Sequence, residues 1–577
     1  MIDKIFESIL VLNKESQKKF CKIIFLVILG SCIETVSLYL IYQTIKYFSD
    51  PVNYLLNENL FLNFFDYFNF ENISLIYFIL FCLISLFVIK FLFFSFLYYF
   101  QFKFVNSINA NLSTKILKNY LFQNLEFHLK SDSSKLLRNI RDEVSQFSHG
   151  AILQSLNLIT ESLTFLSILI LLLYFETKFV IFSISFILIA GIIYYVLIRS
   201  IYLKSGNIRQ KFASISLKNA IESLHGIKDI KIFKSENFFL KNYYNGMKML
   251  ANANVIVSTL SQIPRLLLEV LIIIIVCFFI LYNFNDELMN TNLLPSLGLF
   301  VAASFKLIPS ISRILNSLNG LRFNLPATLV VRRELDIVKN IENNEMNDEE
   351  NFNFEKEIKI ENVSFKYPNR EDFVFDDIKL IIKKNTLVGI RGESGSGKST
   401  FIDLIIGLQD PNSGQILVDG KKLISNRNKW LNKIGYVPQK VYITNDTIKN
   451  NIALGLSKDQ INYEKLKTVV DQCQLNQLID KFPHGFDTNL GDRGVVISGG
   501  ELQRIGIARA LYKNSEILVL DEFTSALDDL NELKLIELIK KLSNSKTIIL
   551  SSHKKKLFSF CDDIFVIKDK KIISNNE

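Results

Sequence analysis

The chain has 577 residues, 49% of them hydrophobic, with 49 Phe and a formal net charge of +9. That length suits about three or four domains, and so high an apolar share excludes a wholly soluble globular protein. The six cysteines (21, 32, 82, 277, 473 and 561) show no CxxC or other metal-like spacing, which excludes a disulfide framework and a cysteine-held metal, and the positive charge gathers beside apolar runs, which points to a membrane and away from nucleic acid.

In chain order, the first twenty residues lack a small-residue cleavage site, so no removable signal peptide is expected. Six segments are long and apolar enough to cross ~30 Å of hydrocarbon. They lie near 21–47, 73–101, 152–175, 177–202, 255–283 and 293–320. The third and fourth are joined by a very short loop near 176–178, so they form a hairpin.

Loop charges set the orientation. The 48–72 loop carries only Asp50, Glu58, Asp66 and Glu71, and the loop near 284–292 carries Asp286 and Glu287 and no base. By contrast 103–150 holds Lys103, Lys115, Lys118, Lys130, Lys135, Arg138 and Arg141, and 199–248 holds ten Lys or Arg. Basic loops stay in the cytoplasm. The N-terminus, both long loops and everything after the sixth span are therefore expected there, in an inner (cytoplasmic) membrane. The long loops keep a helical pattern with few Gly or Pro, which predicts that they prolong the membrane helices. In the outer loop, 53–70 places Leu56, Leu60, Phe61, Phe64, Phe65 and Phe68 at helical spacing, as in a segment lying on the membrane or capping its own protein.

From 338 to 358 (VKNIENNEMNDEENFNFEKEI) the sequence turns polar and acidic with no hydrophobic period, the composition of a linker. The expected organisation is an all-α six-helix transmembrane domain over 1–325, a linker over 326–355 and an α/β domain over 356–577.

In the last domain, 358–367 alternates as a strand and 387–390 (LVGI) is a short buried strand. It runs into RGESGSGKST, residues 391–400. This fits G-x-x-x-x-G-K-[ST], with Gly392, Gly397, Lys398 and Ser399. Backbone N–H groups of Gly392, Glu393, Ser394, Gly395, Ser396, Gly397 and Thr400 would cradle phosphates. Lys398 would neutralise them, and Ser399 would offer a hydroxyl to Mg²⁺. ILVLDE (517–522) predicts a buried strand ending in Asp521, placed to hold Mg²⁺, and Glu522, placed to orient and deprotonate the attacking water. TIIL (547–550) is another strand, after which His553 could contact the terminal phosphate. Gln439 in IGYVPQ could ligate Mg²⁺ or water.

ISGGELQR (497–504), some twenty residues before Asp521 and Glu522, resembles the ABC signature motif. With it stand the P-loop, a Q-loop at Gln439, SALD (525–528) as a D-loop and His553 as a switch histidine, in the family's order. Tyr367 looks like the aromatic that stacks on adenine. The chain thus resembles a half-transporter of the ABC exporter class, with the type IV exporter fold seen in MsbA-like proteins, and the likeness runs over essentially its whole length. It departs at Ile497 in place of Leu, at Glu501 in place of Gln, and at the Lys554–Lys556 run after His553. The resemblance implies ATP and Mg²⁺ as cofactors and a homodimer. In that dimer, Ser498, Gly499, Gly500, Glu501 and Asp528 of one subunit complete the site of the other. It also implies coupling helices near 124–135 and 218–235.

Four cations fall in or beside the spans: Lys90, Arg265, Lys306 and Arg313. A charge at the bilayer centre costs at least ~2.5–3.5 kcal/mol, so each needs a reason. Glu269 at i+4 could pair Arg265, and Glu34 could pair Lys90. Lys306 and Arg313, two turns apart on one helix face, have no acid nearby in sequence. A cationic lumen favours an anionic cargo. IPRLLLE (263–269) and KLIPSISRILNSLNGLR (306–322) resemble the PglK-type flippases of lipid-linked oligosaccharides, which implies a polyprenyl-pyrophosphate glycan moved to the outer leaflet, its pyrophosphate met by these four cations. Export of a lipid A-type lipid, a peptide or a drug is the alternative, and a non-transport ATP-gated role a remote one.

Overall fold

A computed structural model of the chain describes residues 14–49, 75–175, 177–284, 293–342, 352–368, 370–491, 497–524 and 529–574. The 53–70 segment, the outer-loop acids, the acidic stretch 343–351 and SALD with Asp528 lie outside the described residues. The chain divides into two units. The first is Met1–Gln123 with Ser131–Glu342, and the second is Asn124–Lys130 with Asn343–Glu577.

The first unit is helical. Its helices are α1 (Lys14–Ser49), α2 (Leu75–Leu121), α4 (Ser133–Arg138), α5 (Val144–Phe147), α6 (Leu153–Phe175), α7 (Thr177–His225), α8 (Ile227–Ile232), α9 (Glu236–Phe284), α10 (Leu293–Phe323) and α11 (Leu325–Glu342), while α3 (Leu125–Lys130) belongs to the second unit. Among the described residues five helices are long and apolar enough to cross a membrane; the sixth expected span falls in α10, a helix of 31 residues. The basic loops do prolong the spans. Helix α2 has 47 residues and α7 and α9 have 49 each, more than twice the roughly 20 that a bilayer requires. Short helices α3 and α8 stand at the two turns where coupling helices were expected.

Helices α1, α6 and α10 pack on one another, as do α7 and α9. Leu38, Ile168, Leu268, Ile275, Ala303 and Leu307 are buried between them. Only 17% of the most apolar window of α2 is buried, and Phe81 and Phe91 stand out from it, which suits a surface bathed in lipid rather than water. Between α4 and α6 the helix passes through two π turns, Asn139–Glu143 and Ser148–Ile152. Gly150, in the second, lets Asn324 come so close that a Cβ would lie 2.2 Å from its side chain, and Asn324 Nδ2 donates to Gly150 O at 3.2 Å.

The expected linker begins too early. Residues 325–342 form α11, because Ala327, Val331 and Leu335 recur every fourth residue and are buried as one stripe. Among its described charged residues Arg333 and Asp336 are exposed while Glu334 is buried and accepts from Asn139 at 3.1 Å, and the membrane unit extends to Glu342.

The second unit holds two sheets. The four-stranded sheet has order β2-β1-β4-β5, with β1 Glu357–Phe365, β2 Phe375–Lys383, β4 Ser413–Val418 and β5 Lys421–Lys422. The six-stranded sheet has order β10-β9-β3-β8-β7-β6, with β3 Leu387–Arg391, β6 Ile434–Val437, β7 Ile517–Asp521, β8 Thr547–Ser552, β9 Asp563–Lys568 and β10 Lys571–Ser574. Its strands run parallel except β10. β7 and β8 are buried along their whole length, as continuous apolar runs in a parallel sheet require. The carboxyl ends of β3, β7 and β8 therefore lie together, where ligands bind in such sheets.

Candidate functional site

The loop after β3 turns through Gly395 (φ 81°) and Gly397 (φ 105°) and starts helix α12 (Lys398–Ile405). Both angles are left-handed, which a Cβ resists. At Gly397 a Cβ would also meet Val374 and Phe375 at 2.9 Å. Lys398, buried at the helix start, donates to Gly392 O at 3.0 Å and Glu393 O at 3.1 Å, and its Nζ lies 3.3 Å from Glu522 Oε1. Ser396 Oγ is buried without a hydrogen-bond partner among the described residues. A cradle of left-handed glycines, a buried ammonium and an orphan hydroxyl at a helix N-terminus suits a phosphate chain.

Glu522 follows β7 at φ 45°. Such a conformation costs a non-glycine residue about 1–3 kcal/mol; here its N–H donates to Ser551 O at 3.2 Å, and the turn aims the carboxylate back at the P-loop. Gln439 Nε2, just after β6, donates to Glu522 Oε2 at 2.7 Å. Asp521 is buried, its Oδ1 accepting from Ser551 Oγ at 2.5 Å. Burial, reinforced by the Asp521 carboxylate, pushes the Asp403 carboxyl up to about 6 and raises the Tyr436 phenol. Lys398 and Gln439 thus each contact Glu522, one at each carboxylate oxygen. Ser399 lies at the exposed start of α12, and His553 is exposed beyond β8. Tyr367 touches Thr400, hydroxyl to hydroxyl, at 2.9 Å and stands edge-on to Phe365.

Ser498, Gly499, Gly500 and Glu501 open helix α13 (Gly499–Tyr512). Ser498 Oγ accepts from Glu501 N at 3.3 Å, and Glu501 Oε2 accepts from Ser498 N at 2.7 Å. This reciprocal cap gives Glu501, one of the departures, a local reason. Another departure, Lys554, is anchored by Glu532 at 2.7 Å. The sequence reading missed Gln503, which is buried and donates to Gln439 O at 2.7 Å, tying α13 to the residue that holds Glu522.

In the first unit a cavity of about 470 Å³ is lined by Lys90, Lys306, Arg313, Glu34 and Glu161 and by an apolar wall that includes Phe91 and Phe94. Lys306 and Arg313 do have acidic partners, contributed by other helices. Glu34, on α1, meets Lys90 at 2.8 Å with one oxygen and Lys306 at 2.9 Å with the other. Glu161, on α6, accepts from Arg313 at 2.7 Å and from Ser310 Oγ at 2.6 Å. A lone acid in an apolar span needs a partner, and that signal could have found Glu161. Arg265 pairs with Glu269 at 2.9 Å, with both side chains exposed, and is not part of the cavity wall.

A model of the ABC transporter domain matches residues 375–525, and a model of the ABC transporter transmembrane region matches residues 20–301. The chain is 30% identical over 496 residues to the heterocyst differentiation ATP-binding protein HepA of Nostoc sp., an alignment covering 82% of this chain and 78% of that one. It is 28% identical over 487 residues to the ATP-dependent lipid A-core flippase of Pectobacterium atrosepticum, covering 80% and 79%. Its fold is similar to that of a bacterial Atm1-family ABC exporter with ATP bound, at a TM-score of 0.78 and 20% identity, covering 96% of this chain and 94% of the other.

Proposed function

Because the chain belongs to the ABC transporter family, as a half-transporter of the exporter type whose ATP hydrolysis is coupled to transport, we propose that it carries an anionic lipid-linked substrate across a bacterial inner membrane, and that this substrate is a polyprenyl-pyrophosphate-linked oligosaccharide. One observation carries the substrate reading. The membrane cavity holds three cations, Lys90, Lys306 and Arg313, against two carboxylates, Glu34 and Glu161, beside an aromatic wall. The balance of 3 − 2 = +1 favours an anionic head group, and the wall suits a hydrocarbon chain. Lys90 and Lys306 act as point charges where Arg would offer a fork.

In the soluble domain the P-loop amides and Lys398 bind the phosphates, and Tyr367 receives the adenine. Ser399 and Asp521 would hold Mg²⁺, with Gln439 at its edge; when bound, the ion supplies positive charge to the phosphate oxygens. Glu522 takes the proton of the attacking water, steadied by Gln439, and His553 meets the terminal phosphate. In a homodimer Ser498, Gly499, Gly500, Glu501 and Asp528 of one subunit close on the P-loop of the other, and α3 and α8 carry that closure to the membrane. The cytoplasmic placement of this domain is supported by the loop charges.

The test is ATP turnover and lipid transfer by the purified protein in liposomes carrying a polyprenyl-pyrophosphate glycan. Stimulation and transfer are expected, both lost in Lys306→Ala/Arg313→Ala. Neither stimulation nor transfer by the unmodified protein sinks the reading. Export of a lipid A-type lipid is a second reading, favoured by the named activity of the Pectobacterium relative; the same assay with lipid A decides between them.

A further inference from the structure

A second concavity lies on the other side of helix α2. Phe94, Ser95 and Tyr98 of α2 face the cavity that holds Lys90. Phe96, Phe100 and Lys103 are centred about 160° further round the helix, at 100° per residue, and there α2 meets α1 in a groove of about 880 Å³. Phe104, in its wall, is buried against Phe20 of α1, ring to ring at 6.2 Å, which holds the two helices together at that point. The ends of the groove differ chemically. Phe25, Phe96 and Phe100 make one end apolar, the last two with ring centroids 4.5 Å apart. Lys19, Lys22 and Lys103 make the other end cationic, about 5–10 Å away along the helix axes at 1.5 Å per residue. Helix α1 enters its apolar stretch near residue 21 and α2 leaves its own near residue 101, so Lys22 and Lys103 stand at the same face of the membrane. Charge at this face is unbalanced. Lys19 is taken by Glu15 at 2.6 Å. Among the described residues neither Lys22 nor Lys103 meets a carboxylate, and Lys103 lies 5.6 Å from the ring of Tyr99.

We propose that this groove is a binding site for an anionic phospholipid of the surrounding leaflet. Its phosphodiester bridges Lys22 and Lys103, and its acyl chains lie on Phe25, Phe96 and Phe100. Each ammonium has three donors, so one phosphate can accept from both helices at once. The order of the groove matches the order of the molecule, with cations at head-group level and aromatic rings toward the hydrocarbon. A zwitterionic phospholipid carries an ammonium of its own, which the two unpaired lysines repel, so the site selects by head-group charge. The lipid is a resident of the outer surface of α1 and α2 and not the cargo, because the groove and the Lys90 cavity lie on different faces of α2. The inference needs only that α1 and α2 span the membrane; it is independent of the substrate proposed above.

The experiment is native mass spectrometry of the full-length protein, stripped of lipid in detergent. It is titrated with phosphatidylglycerol and, separately, with phosphatidylcholine of the same acyl chains. The first phosphatidylglycerol should bind about tenfold or more tightly than the first phosphatidylcholine, since each basic side chain at an anionic head group is worth about fivefold. Lys22→Gln/Lys103→Gln should abolish that preference and leave phosphatidylcholine binding unchanged. Lys18→Gln/Lys118→Gln removes two exposed charges from the same helices outside the groove and should keep the preference. Thermal unfolding in detergent establishes that each variant is folded. Equal binding of the two lipids by the unmodified protein overturns the site, as does an equal loss of preference in the Lys18/Lys118 pair. A preference that appears only after residues 1–13 are deleted overturns it as well, by giving the groove to that segment. So does a Lys22/Lys103 variant that loses its dimer while keeping the preference, which gives the groove to a second copy of the chain.

Discussion

Gln439 Nε2 donates to Glu522 Oε2 at 2.7 Å. Through this bond the loop after β6 fixes the carboxylate that ends β7, and the P-loop ammonium of Lys398 reaches the other oxygen of that carboxylate. Glu522→Gln preserves size but removes the carboxylate proposed as the base. Turnover should fall about 100-fold or more, the usual worth of a positioned general base. Nucleotide binding should persist, so that ATP accumulates unhydrolysed on the protein; filter binding alongside phosphate release checks both.

Gln503 supports the same loop from α13. Gln503→Ala would remove the hydrogen bond to the Gln439 carbonyl, a net loss of about 0.5–1.5 kcal/mol, and would loosen the aim of Gln439. The expected result is a lower kcat with a nearly unchanged KM for ATP. A rise in KM alone would mean that Gln503 shapes the nucleotide pocket instead.

Glu143 is fully buried between Arg138 and Arg209, at 3.4 Å from each. Breaking a buried ion pair by removing one partner costs about 3–5 kcal/mol, because the remaining charges stay buried. Glu143→Gln should therefore lower the unfolding midpoint of the membrane half in detergent. Replacing all three residues with apolar side chains of similar volume should cost much less.

Cys473 and Cys561 have their thiols pushed up to about 12, chiefly by burial. A raised thiol pKa means that the reactive thiolate is scarce below it, at pH 8 only about one part in ten thousand. Both should resist iodoacetamide at pH 8 in the folded protein and react on denaturation, as mapped by mass spectrometry. Rapid labelling of the native protein at either residue contradicts the packing described for the second unit.

Much of this chain was legible because its signals are local. The P-loop, the strand ending in Asp521 and Glu522, and the basic loops each need only a short window. The Glu501 cap also obeys a local rule, S-x-x-E before a helix, although motif resemblance hid it. Pairings between distant helices were not legible. Lys306 and Glu34 lie far apart in the chain, and nothing in the sequence brings α10 to α1; only packing does. The boundary after α11 was misplaced for a different reason. A stripe of one apolar residue per turn among charges reads as linker until its buried face is known.

The two π turns between Asn139 and Ile152 alter the angular arithmetic of the third span. Glu143 and Glu161 are 161 − 143 = 18 residues apart, five whole turns at 3.6 residues per turn, and on an unbroken α-helix they would point the same way. A π turn carries one residue beyond the α pattern and so shifts the azimuth of every later residue on the rod by about 100°. The turn at Ser148–Ile152 thereby lets one continuous rod aim one acid at Arg138 and Arg209 and the other at Arg313. A single-residue deletion there would realign the two acids and leave one group of arginines without its counter-charge.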